Sequence, residues 1–459
     1  MIEQKIIDKI LDAINIVDVI SEYVTLNKRG VNYWGICPFH TDRSPSMCVS
    51  PSKQIYKCFA CGEAGNVVTF LQKHENMSYP EAIRSLGKRC HIDVPDRELT
   101  PEEQQRVSIK ESLLITLSAA SDKFTGYLAT NNEAKSYLLS RGWNAGEDQT
   151  LELFHVGYAP DTWRTLIDDM KRSAFNSETL VQAGLAAKGE KSVYDSFRGR
   201  ILFPYYDLKG NVVGFTGRSI KPSDNVKYYN TGETPVFHKG SVLFGLFQAR
   251  QAIGQQDRVY FVEGQFDVLS FVRAGIRNTV CGSGTALTQE QIKTIIRFTR
   301  NVTLIYDRDE AGIKASVKNI KALLEAGANV RAISLPDGDD PDSFARKKTE
   351  KELPIYLHNH ETDWVTYLSG IYEKDFEDPI LKNEHLTFIA ECIALVKDKT
   401  LSISYTTKLS EKFKIQLDNV KNKIKELSVS LPKDEEIKKP GFYGIEELSN
   451  TLSDISENC

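Results

Sequence analysis

The sequence predicts an α/β protein of several domains: a small N-terminal module folded round a ligand set, a mixed α/β core containing a parallel sheet, and a helical C-terminal segment. Three observations carry that expectation. Cys37-Pro-Phe-His40 is followed by Cys58-Phe-Ala-Cys61, two chelating pairs one loop apart. From Arg258 to Leu335, short β-branched runs alternate with helical stretches, the pattern of a parallel sheet covered by helices. Beyond Asp342 the pattern is helical to about Leu431.

Composition narrows the class. The chain has 459 residues, 41% hydrophobic and 26% charged, enough for several separate cores. No apolar run approaches the ~20 residues that cross a bilayer, and the start lacks a signal-peptide pattern. The expectation is a cytoplasmic protein with no membrane partner, a monomer in the reducing cytosol. Of the eight cysteines, Cys37, Cys58 and Cys61 belong to the ligand pairs, while Cys48, Cys90, Cys281, Cys392 and Cys459 are scattered, which suits that compartment. The net charge of −4 weighs against a generic nucleic-acid binder. Its distribution weighs the other way: between Lys188 and Gly240 there are nine Lys/Arg against five acids, and an acidic stretch follows. A basic track beside an acidic pocket suits a metal-dependent enzyme acting on a polyanion.

The elements follow in order. Residues 1–23 set Ile6, Ile7, Ile10, Leu11, Ile14 and Val17 on one helical face. Strands are expected at 46–49 and 54–58, and helices at 66–72 and 79–87, completing a first domain over 1–95. A polar linker spans 96–102, with Pro95 and Pro101 about its ends. The next domain, 103–255, opens with a helical run to about Arg141 and continues in short strands at 156–158, 200–206 and 212–216. Domain 256–345 reads as strand 259–262, helix 267–273, strand 279–281, helix 288–297, strand 302–306, helix 313–326 and strand 330–335. A helical domain, 346–431, and a short tail, 432–459, end the chain. In the tail Ile445, Leu448, Leu452 and Ile455 form an amphipathic turn or two, read as a frayed terminus in preference to a docking segment.

The chemistry lies in two clusters. Cys37, His40, Cys58 and Cys61 supply four N/S ligands with no open position, which makes one structural zinc site and not a catalytic one. At the carboxyl ends of the predicted strands stand Glu263 with Asp267, Asp307 with Asp309, and Asp339, Asp340 and Asp342; side chains at that edge of a parallel sheet converge on one crevice. Gathered carboxylates repel one another, and hard divalent cations, Mg²⁺ or Mn²⁺, compensate them. A single Asp there would be a helix cap or turn former; three strand ends in register point to metal. Two ions roughly 3.5–4 Å apart would serve phosphoryl or nucleotidyl transfer and phosphodiester cleavage alike, so the carboxylates leave synthesis and hydrolysis both open.

Taken together, the finger, Glu263-Gly-Gln-Phe-Asp267, Tyr306-Asp-Arg-Asp309 and Asp340-Pro-Asp342 resemble a bacterial DnaG-type DNA primase, the acidic part resembling its Toprim fold. The likeness is collinear from the first helix to about residue 345 and includes Gly35-Ile-Cys-Pro-Phe-His40, Pro45-Ser-Met-Cys-Val-Ser50, Ser196-Phe-Arg-Gly-Arg-Ile-Leu-Phe-Pro204, Val213-Gly-Phe-Thr-Gly-Arg218, Lys227-Tyr-Tyr-Asn230 and Phe237-His-Lys239. The Toprim motifs alone occur in several enzyme classes; the combination is specific to primases. The resemblance implies a zinc ribbon over 1–95, an RNA polymerase core whose amino half is 103–255 and whose Toprim subdomain is 256–345, and synthesis of a short RNA primer from ribonucleoside triphosphates on a single-stranded DNA template. It implies Glu263, Asp307 and Asp309 as catalytic residues, with Glu263 acting as ligand or as base for the primer 3′-hydroxyl. The same acids with Asp267, Asp340 and Asp342 would hold two or more Mg²⁺ or Mn²⁺ ions. Arg198, Arg200, Arg218, Lys227, Tyr228, Asn230 and Lys239 would form a basic ridge tracking template and nucleotide, and Tyr33, Trp34, Lys57 and Phe59 would let the finger engage template bases.

This sequence departs from the family at Gln265, where an aromatic is usual, and at Arg308, where Gly is common. The segment after Leu431 is too short for the family's helical helicase-binding domain, and no G-x-x-x-x-G-K-[ST] motor motif occurs. The expectation is therefore a shortened primase, of plasmid, phage or other mobile origin, with a replicative helicase as a possible partner. Rival readings are a Toprim nuclease, a topoisomerase, which would need a strand-cleaving tyrosine domain, and a non-catalytic single-stranded-DNA adaptor. Gly282-Ser-Gly-Thr285 reads as a plain loop ahead of a phosphate cradle.

Overall fold

Apolar spacing and helix caps build the first part of the chain. In the computed structural model, which describes residues 2–75, 77–94, 101–190, 192–282, 284, 286–336 and 338–430, the chain divides into two compact units, 1–115 and 116–459. The first begins with α1 (Gln4–Ala13) and α2 (Ile16–Ser21). Ile7, Ile10 and Val17 are buried, with Ile6, Leu11 and Ile14 packed at the rim of the same core. Asn15 starts α2 by accepting the Val17 N–H. Five strands follow in an antiparallel meander of order β1-β2-β3-β4-β5: β1 (Asn27–Arg29), β2 (Asn32–Gly35), β3 (Met47–Ser50), β4 (Ile55–Cys58) and β5 (Ala64–Asn66). Helices α3 (Val67–His74) and α4 (Tyr79–Arg89) close the module, α3 capped by Asn66 and α4 by a Ser78/Glu81 capping box. The expected strands and helices are all here. β1, β2 and β5 are additional; β1 is three exposed polar residues, with no apolar alternation to announce it.

The division between units falls within α5 (Pro101–Thr130), which α6 (Asn132–Ser140) and α7 (Gln149–Leu153) follow. Next come β6 (Gly157–Ala159), α8 (Thr165–Arg172), α9 (Ser177–Gln182), the hairpin β7 (Ala186–Lys188) and β8 (Val193–Asp195), β9 (Arg200–Tyr206), β10 (Val212–Ser219), β11 (Tyr228–Asn230) and α10 (Leu246–Gln256). The sheet β11-β10-β9-β6 is antiparallel. Its register sets Arg218 opposite both Ile201 and Tyr228, and Ser219 opposite Arg200.

The acid-bearing part is β12 (Val259–Val262), α11 (Gln265–Arg273), β13 (Thr279–Cys281), α12 (Gln289–Ile296), β14 (Asn301–Tyr306), α13 (Glu310–Glu325) and β15 (Asn329–Ser334). After it run α14 (Pro341–Arg346), α15 (Glu352–His360), β16 (Glu361–Asp363), α16 (Trp364–Tyr372), α17 (Pro379–Ala394), α18 (Lys399–Phe413) and α19 (Leu417–Ser430). The sheet order is β13-β12-β14-β15-β16, parallel except for β16. The chain goes from β12 to β13 on one side, then crosses to β14 on the other, so a topological switch point lies at the carboxyl ends of β12 and β14. β16 corrects the expectation of unbroken helix after Asp342: three residues pair antiparallel with β15. One hydrophobic core runs from Phe261, Leu304 and Ala332 of the sheet to Trp364, Ile389, Leu409 and Phe413 of the terminal helices.

The tail 432–459 with Cys459, most of the linker 96–102, Lys191, Ser283, Thr285 and Asp337 lie outside the described residues. Among the described residues no helix is long and apolar enough to cross a membrane.

Candidate functional site

The finger closes because two short turns face each other, one after β2 and one after β4. The donor atoms of Cys37, His40, Cys58 and Cys61 all lie within 4.8 Å of one another. Cys37 Sγ and Cys61 Sγ are 3.9 Å apart, and Cys58 Sγ and His40 Nδ1 4.0 Å. Those are close to the edges of a tetrahedron with metal–ligand bonds of about 2.0–2.3 Å. Gly62, at φ +78°, turns the second knuckle back, its N–H reaching the Cys58 carbonyl at 3.1 Å. Burial pushes the Cys37 thiol well above its ordinary range, so a thiolate there needs a cation. At Cys58 burial works the same way, but the N–H groups of Cys61 and Ala60 oppose it, and that thiol is held low. The donor set fits a tetrahedral ion.

Asp42, which sequence reasoning missed, organises this site. Its Oδ2 accepts from Ser46 Oγ at 2.5 Å and the Cys37 N–H at 3.1 Å, its Oδ1 from the Ser44 N–H at 3.2 Å, and Oδ2 lies 3.9 Å from His40 Nε2. The Ser46 hydroxyl is the main cause that holds its carboxyl down at about 2. Such outer partners orient ligands and tune the metal. Its place two residues after His40 was the one available signal.

On the outer face of the finger Trp34 and Phe59 stack with centroids 5.7 Å apart, Arg29 lies 6.0 Å over Trp34, and Lys57 5.4 Å over Phe59. Tyr33 does not join them. Opposite Val49 in the register, it points to the other face and packs on the core, as the two-residue period of a strand demands.

At the switch point Glu263 follows β12 and Asp307 follows β14. Glu263 Oε1 accepts the Asp307 backbone N–H at 2.8 Å, which fixes one acid against the neighbouring strand. Burial raises the Glu263 carboxyl to about 7, opposed by that N–H and reinforced by Asp307, Asp309 and Asp340. Burial also raises Asp307 to about 6, helped by Asp340 and Asp309. Asp307 Oδ1 is buried and has no hydrogen-bond partner. Asp309 caps α13, accepting the Gly312 N–H at 2.7 Å, and Asp340 caps α14, accepting the Ser343 N–H at 2.6 Å. Both caps are exposed.

Asp267 and Asp342 are placed differently. Asp267 is buried and accepts the Gly264 N–H at 2.8 Å, and burial drives its carboxyl well up. Asp342, also buried, accepts from Ser270 Oγ at 2.5 Å, Arg346 Nε at 3.1 Å and Arg141 Nη1 at 3.5 Å. Asp339 is tied to Lys347 and to Ser343 Oγ. The acids share one electrostatic neighbourhood, but among the described residues only the finger gathers three or more candidate ligand atoms within 4.8 Å. The acidic crevice is more open. An orphaned carboxylate oxygen beside four other acids is a donor set that fits hard cations.

Gly312 belongs to the site as well: a Cβ there would meet the Asp307 carbonyl oxygen and Glu263 Oε1. Gln265 is buried, its amide 3.3 Å from the Tyr205 hydroxyl, so the missing family aromatic is replaced by a polar contact to β9. Arg308 is exposed on the turn into α13.

The ridge residues are partly tied to the fold. Arg218 donates to the Tyr228 and Tyr137 hydroxyls, both at 2.9 Å, and Tyr228 lies within electrostatic range of Asp267 and Arg141. That brings Arg218 and Tyr228 of the ridge to the acids. Arg200 spends its guanidinium on the Gly217 and Lys227 carbonyls and on Asp224. Arg198 sits 3.9 Å over Trp163 and 5.4 Å from Tyr194, beside a cavity of about 480 Å³ that Arg198, Arg200 and Lys221 line. Lys227 and Lys239 are exposed, and Asn230 pairs with Thr216 at the end of β11.

Comparison with known proteins decides between the readings that this chemistry leaves open. The CHC2 zinc finger profile matches residues 2–102, the profile of the DNA primase catalytic core N-terminal domain 124–250, and a Toprim-like profile 260–345. A DNA primase of Clostridium acetobutylicum is 38% identical over 417 residues, spanning 90% of this chain and 68% of that protein. The chain belongs to the DnaG-type DNA primases. As a primase it is a nucleotidyltransferase and DNA-directed RNA polymerase, and the nuclease, topoisomerase and adaptor readings fall away. Among solved structures, the zinc-binding and RNA polymerase domains of the Aquifex aeolicus primase match with a TM-score of 0.59 at 33% identity, over 90% of this primase and 98% of that chain. A DnaG primase catalytic domain bound to single-stranded DNA matches with a TM-score of 0.58 at 29% identity, over 68% of this primase and 99% of that chain.

Proposed function

We propose that this primase makes short RNA primers from ribonucleoside triphosphates on a single-stranded DNA template, with zinc in the finger and Mg²⁺ or Mn²⁺ in the acidic crevice. The observation that carries the catalytic part is Asp307 Oδ1, buried and without a hydrogen-bond partner beside Glu263. A buried acceptor left unsatisfied is costly, and a cation satisfies it. Glu263, Asp307, Asp309 and Asp340 present the open oxygens and are the ligands in this reading. Asp267 and Asp342 stand behind them, engaged by Gly264 and by Ser270, Arg141 and Arg346, and add to the negative field. Two divalent ions bound there would activate the primer 3′-hydroxyl and stabilise the leaving pyrophosphate.

The chain's own residues do the positioning. Glu263 is locked to the backbone of β14, so the two strand ends hold their acids at fixed spacing. Arg198, Arg200, Arg218, Lys227, Tyr228, Asn230 and Lys239 guide template phosphates and the incoming triphosphate toward that edge; that a similar catalytic domain was solved bound to single-stranded DNA supports template binding by this core. Trp34 and Phe59, flanked by Arg29 and Lys57, offer bases a stacking surface of the kind single-strand binders use. Cys48, Cys90, Cys281 and Cys392 are free thiols, consistent with work in the cytoplasm. A monomer that meets a replicative helicase completes the reading.

The test is incorporation of labelled ribonucleotides on single-stranded DNA with Mg²⁺ or Mn²⁺. Short RNA products that vanish in Asp307→Ala are expected. Shortening of the template by the wild type would overturn the reading. Asp309→Ala should abolish synthesis while single-strand binding stays within about twofold; equal loss of both would show a structural role instead. Metal analysis should return one zinc per chain.

A further inference from the structure

We propose that Ser270 and Asp342 form a buried clamp that holds the Arg141 guanidinium ready for the phosphates of the incoming ribonucleotide. The proposal deepens the nucleotidyl-transfer reading and rests on it. Arg141 is the residue that touches substrate; Ser270 and Asp342 are positioning residues that act through it. Asp342 has both oxygens engaged by the chain itself, and its side chain is 5% exposed. Oδ1 accepts from Ser270 Oγ at 2.5 Å and from Arg346 Nε at 3.1 Å, and Oδ2 faces Arg141 Nη1 at 3.5 Å. That separates it from Asp307, whose Oδ1 has no hydrogen-bond partner. Ser270 is buried on α11, three residues beyond Asp267. A buried hydroxyl must place its proton on an acceptor; this one goes to Asp342 and holds that carboxylate in one orientation.

Arg141 is fixed along its whole length. Its backbone ends α6 and leads into Gly142, at φ +78°. Arg273 of α11 ties that turn down, donating to the Gly142 carbonyl at 2.8 Å and lying 3.8 Å over the buried Trp143 ring. The Arg141 guanidinium lies 4.7 Å over Phe266, and its tip meets Asp342. Ordering a long side chain in advance removes an entropy cost that binding would otherwise bear. The contact to Asp342 is long for a hydrogen bond, which leaves most donors of the planar fork for a ligand, and the Arg141 side chain is 29% exposed. Phe266 precedes Asp267 in the chain, and Tyr228 of the ridge has both Asp267 and Arg141 within electrostatic range. The guanidinium therefore stands where the ridge meets the acids. A fork at that place matches phosphate oxygens in pairs.

The test is steady-state ribonucleotide incorporation by the full chain with the triphosphate varied, beside equilibrium binding of a non-hydrolysable ribonucleoside triphosphate. Arg141→Gln should raise KM about tenfold, the size of one charge-assisted hydrogen bond, and weaken equilibrium binding to match. Ser270→Ala should raise KM about threefold, with kcat within about twofold and an unchanged melting curve. The double variant separates positioning from plain structure: once Arg141 is replaced, Ser270→Ala should raise KM no further, because residues acting as one unit are not additive. Additive effects, a shifted half-saturating Mg²⁺ concentration in Ser270→Ala, or a loss confined to kcat would overturn the proposal. A wild type that makes no RNA would overturn the nucleotidyl-transfer reading and this proposal with it. An active wild type whose KM neither variant moves would overturn this proposal alone.

Discussion

A Cβ added to Gly312 would stand 2.4 Å from the Asp307 carbonyl oxygen and 2.6 Å from Glu263 Oε1. Neither atom can yield freely, since the first is backbone and the second is bonded to the Asp307 N–H. Gly312→Ala should therefore cost about 1–3 kcal/mol of stability by overpacking and about 10²-fold in nucleotidyl transfer by displacing Glu263. Single-strand binding should barely change, so parallel melting, binding and incorporation measurements check it. At the finger, Asp42→Ala should weaken zinc about 10–100-fold, read by competition with a chromophoric chelator. Neither residue was singled out from the sequence. The ligand pairs were legible because chelation needs a short fixed spacing, and the place of Glu263, Asp307 and Asp309 at the strand ends because the alternation of strands and helices was regular. Asp42 and Gly312 act through other residues, by a hydrogen bond and by the lack of a side chain, and neither leaves a periodic trace.

Helix α8 shows how an element borrows what its own sequence lacks. Its N-cap is Arg164, which makes no side-chain cap. Asp195 of β8 supplies one instead, accepting the Leu166 and Ile167 N–H groups at 2.9 and 3.1 Å. Burial raises its carboxyl to about 6 despite those two donors. The folded state then takes up a proton before the unfolded chain does, so this group adds stability as pH falls from about 6 toward 4, and that contribution is absent at pH 7. The stability gap between wild type and Asp195→Asn should widen over that interval, as urea midpoints at pH 4.5 and 7 would register. β16 is the opposite case of illegibility. The side chain of its Glu361 is buried and holds Thr303 Oγ1 at 2.6 Å, Arg258 at 3.1 Å and Arg331 at 3.4 Å. Nothing in a three-residue polar run reveals partners this distant in sequence. The helices expected at 66–72, 79–87, 267–273, 288–297 and 313–326, by contrast, appeared to within a few residues, because the same spacing that marks them in the sequence buries them in the fold, whereas α8, α9 and α10 were not expected.

At the scale of the whole molecule, the two units draw on different sources of stability. The first has its own small core and the Cys37, His40, Cys58, Cys61 set; the second has a continuous core through sheet and terminal helices. Metal binding in small fingers is worth on the order of 10–16 kcal/mol. Stripping zinc with a strong chelator should therefore abolish amide protection at Ile10, Tyr56 and Phe70 while leaving β14 and β15 protected, as hydrogen exchange would show. The order of the domains was readable because each carries its own motif. That sheet and terminal helices share a core was not, since helical periodicity says which face is buried and not against what. The bond between Glu263 and the Asp307 backbone joins residues 44 positions apart. Parallel pairing across such a separation is slow to form, because the loop must close before any contact rewards it. A nascent chain thus emerges with its finger and early helices able to fold, while Glu263 waits for its partner N–H until β14 has left the ribosome and settled beside β12.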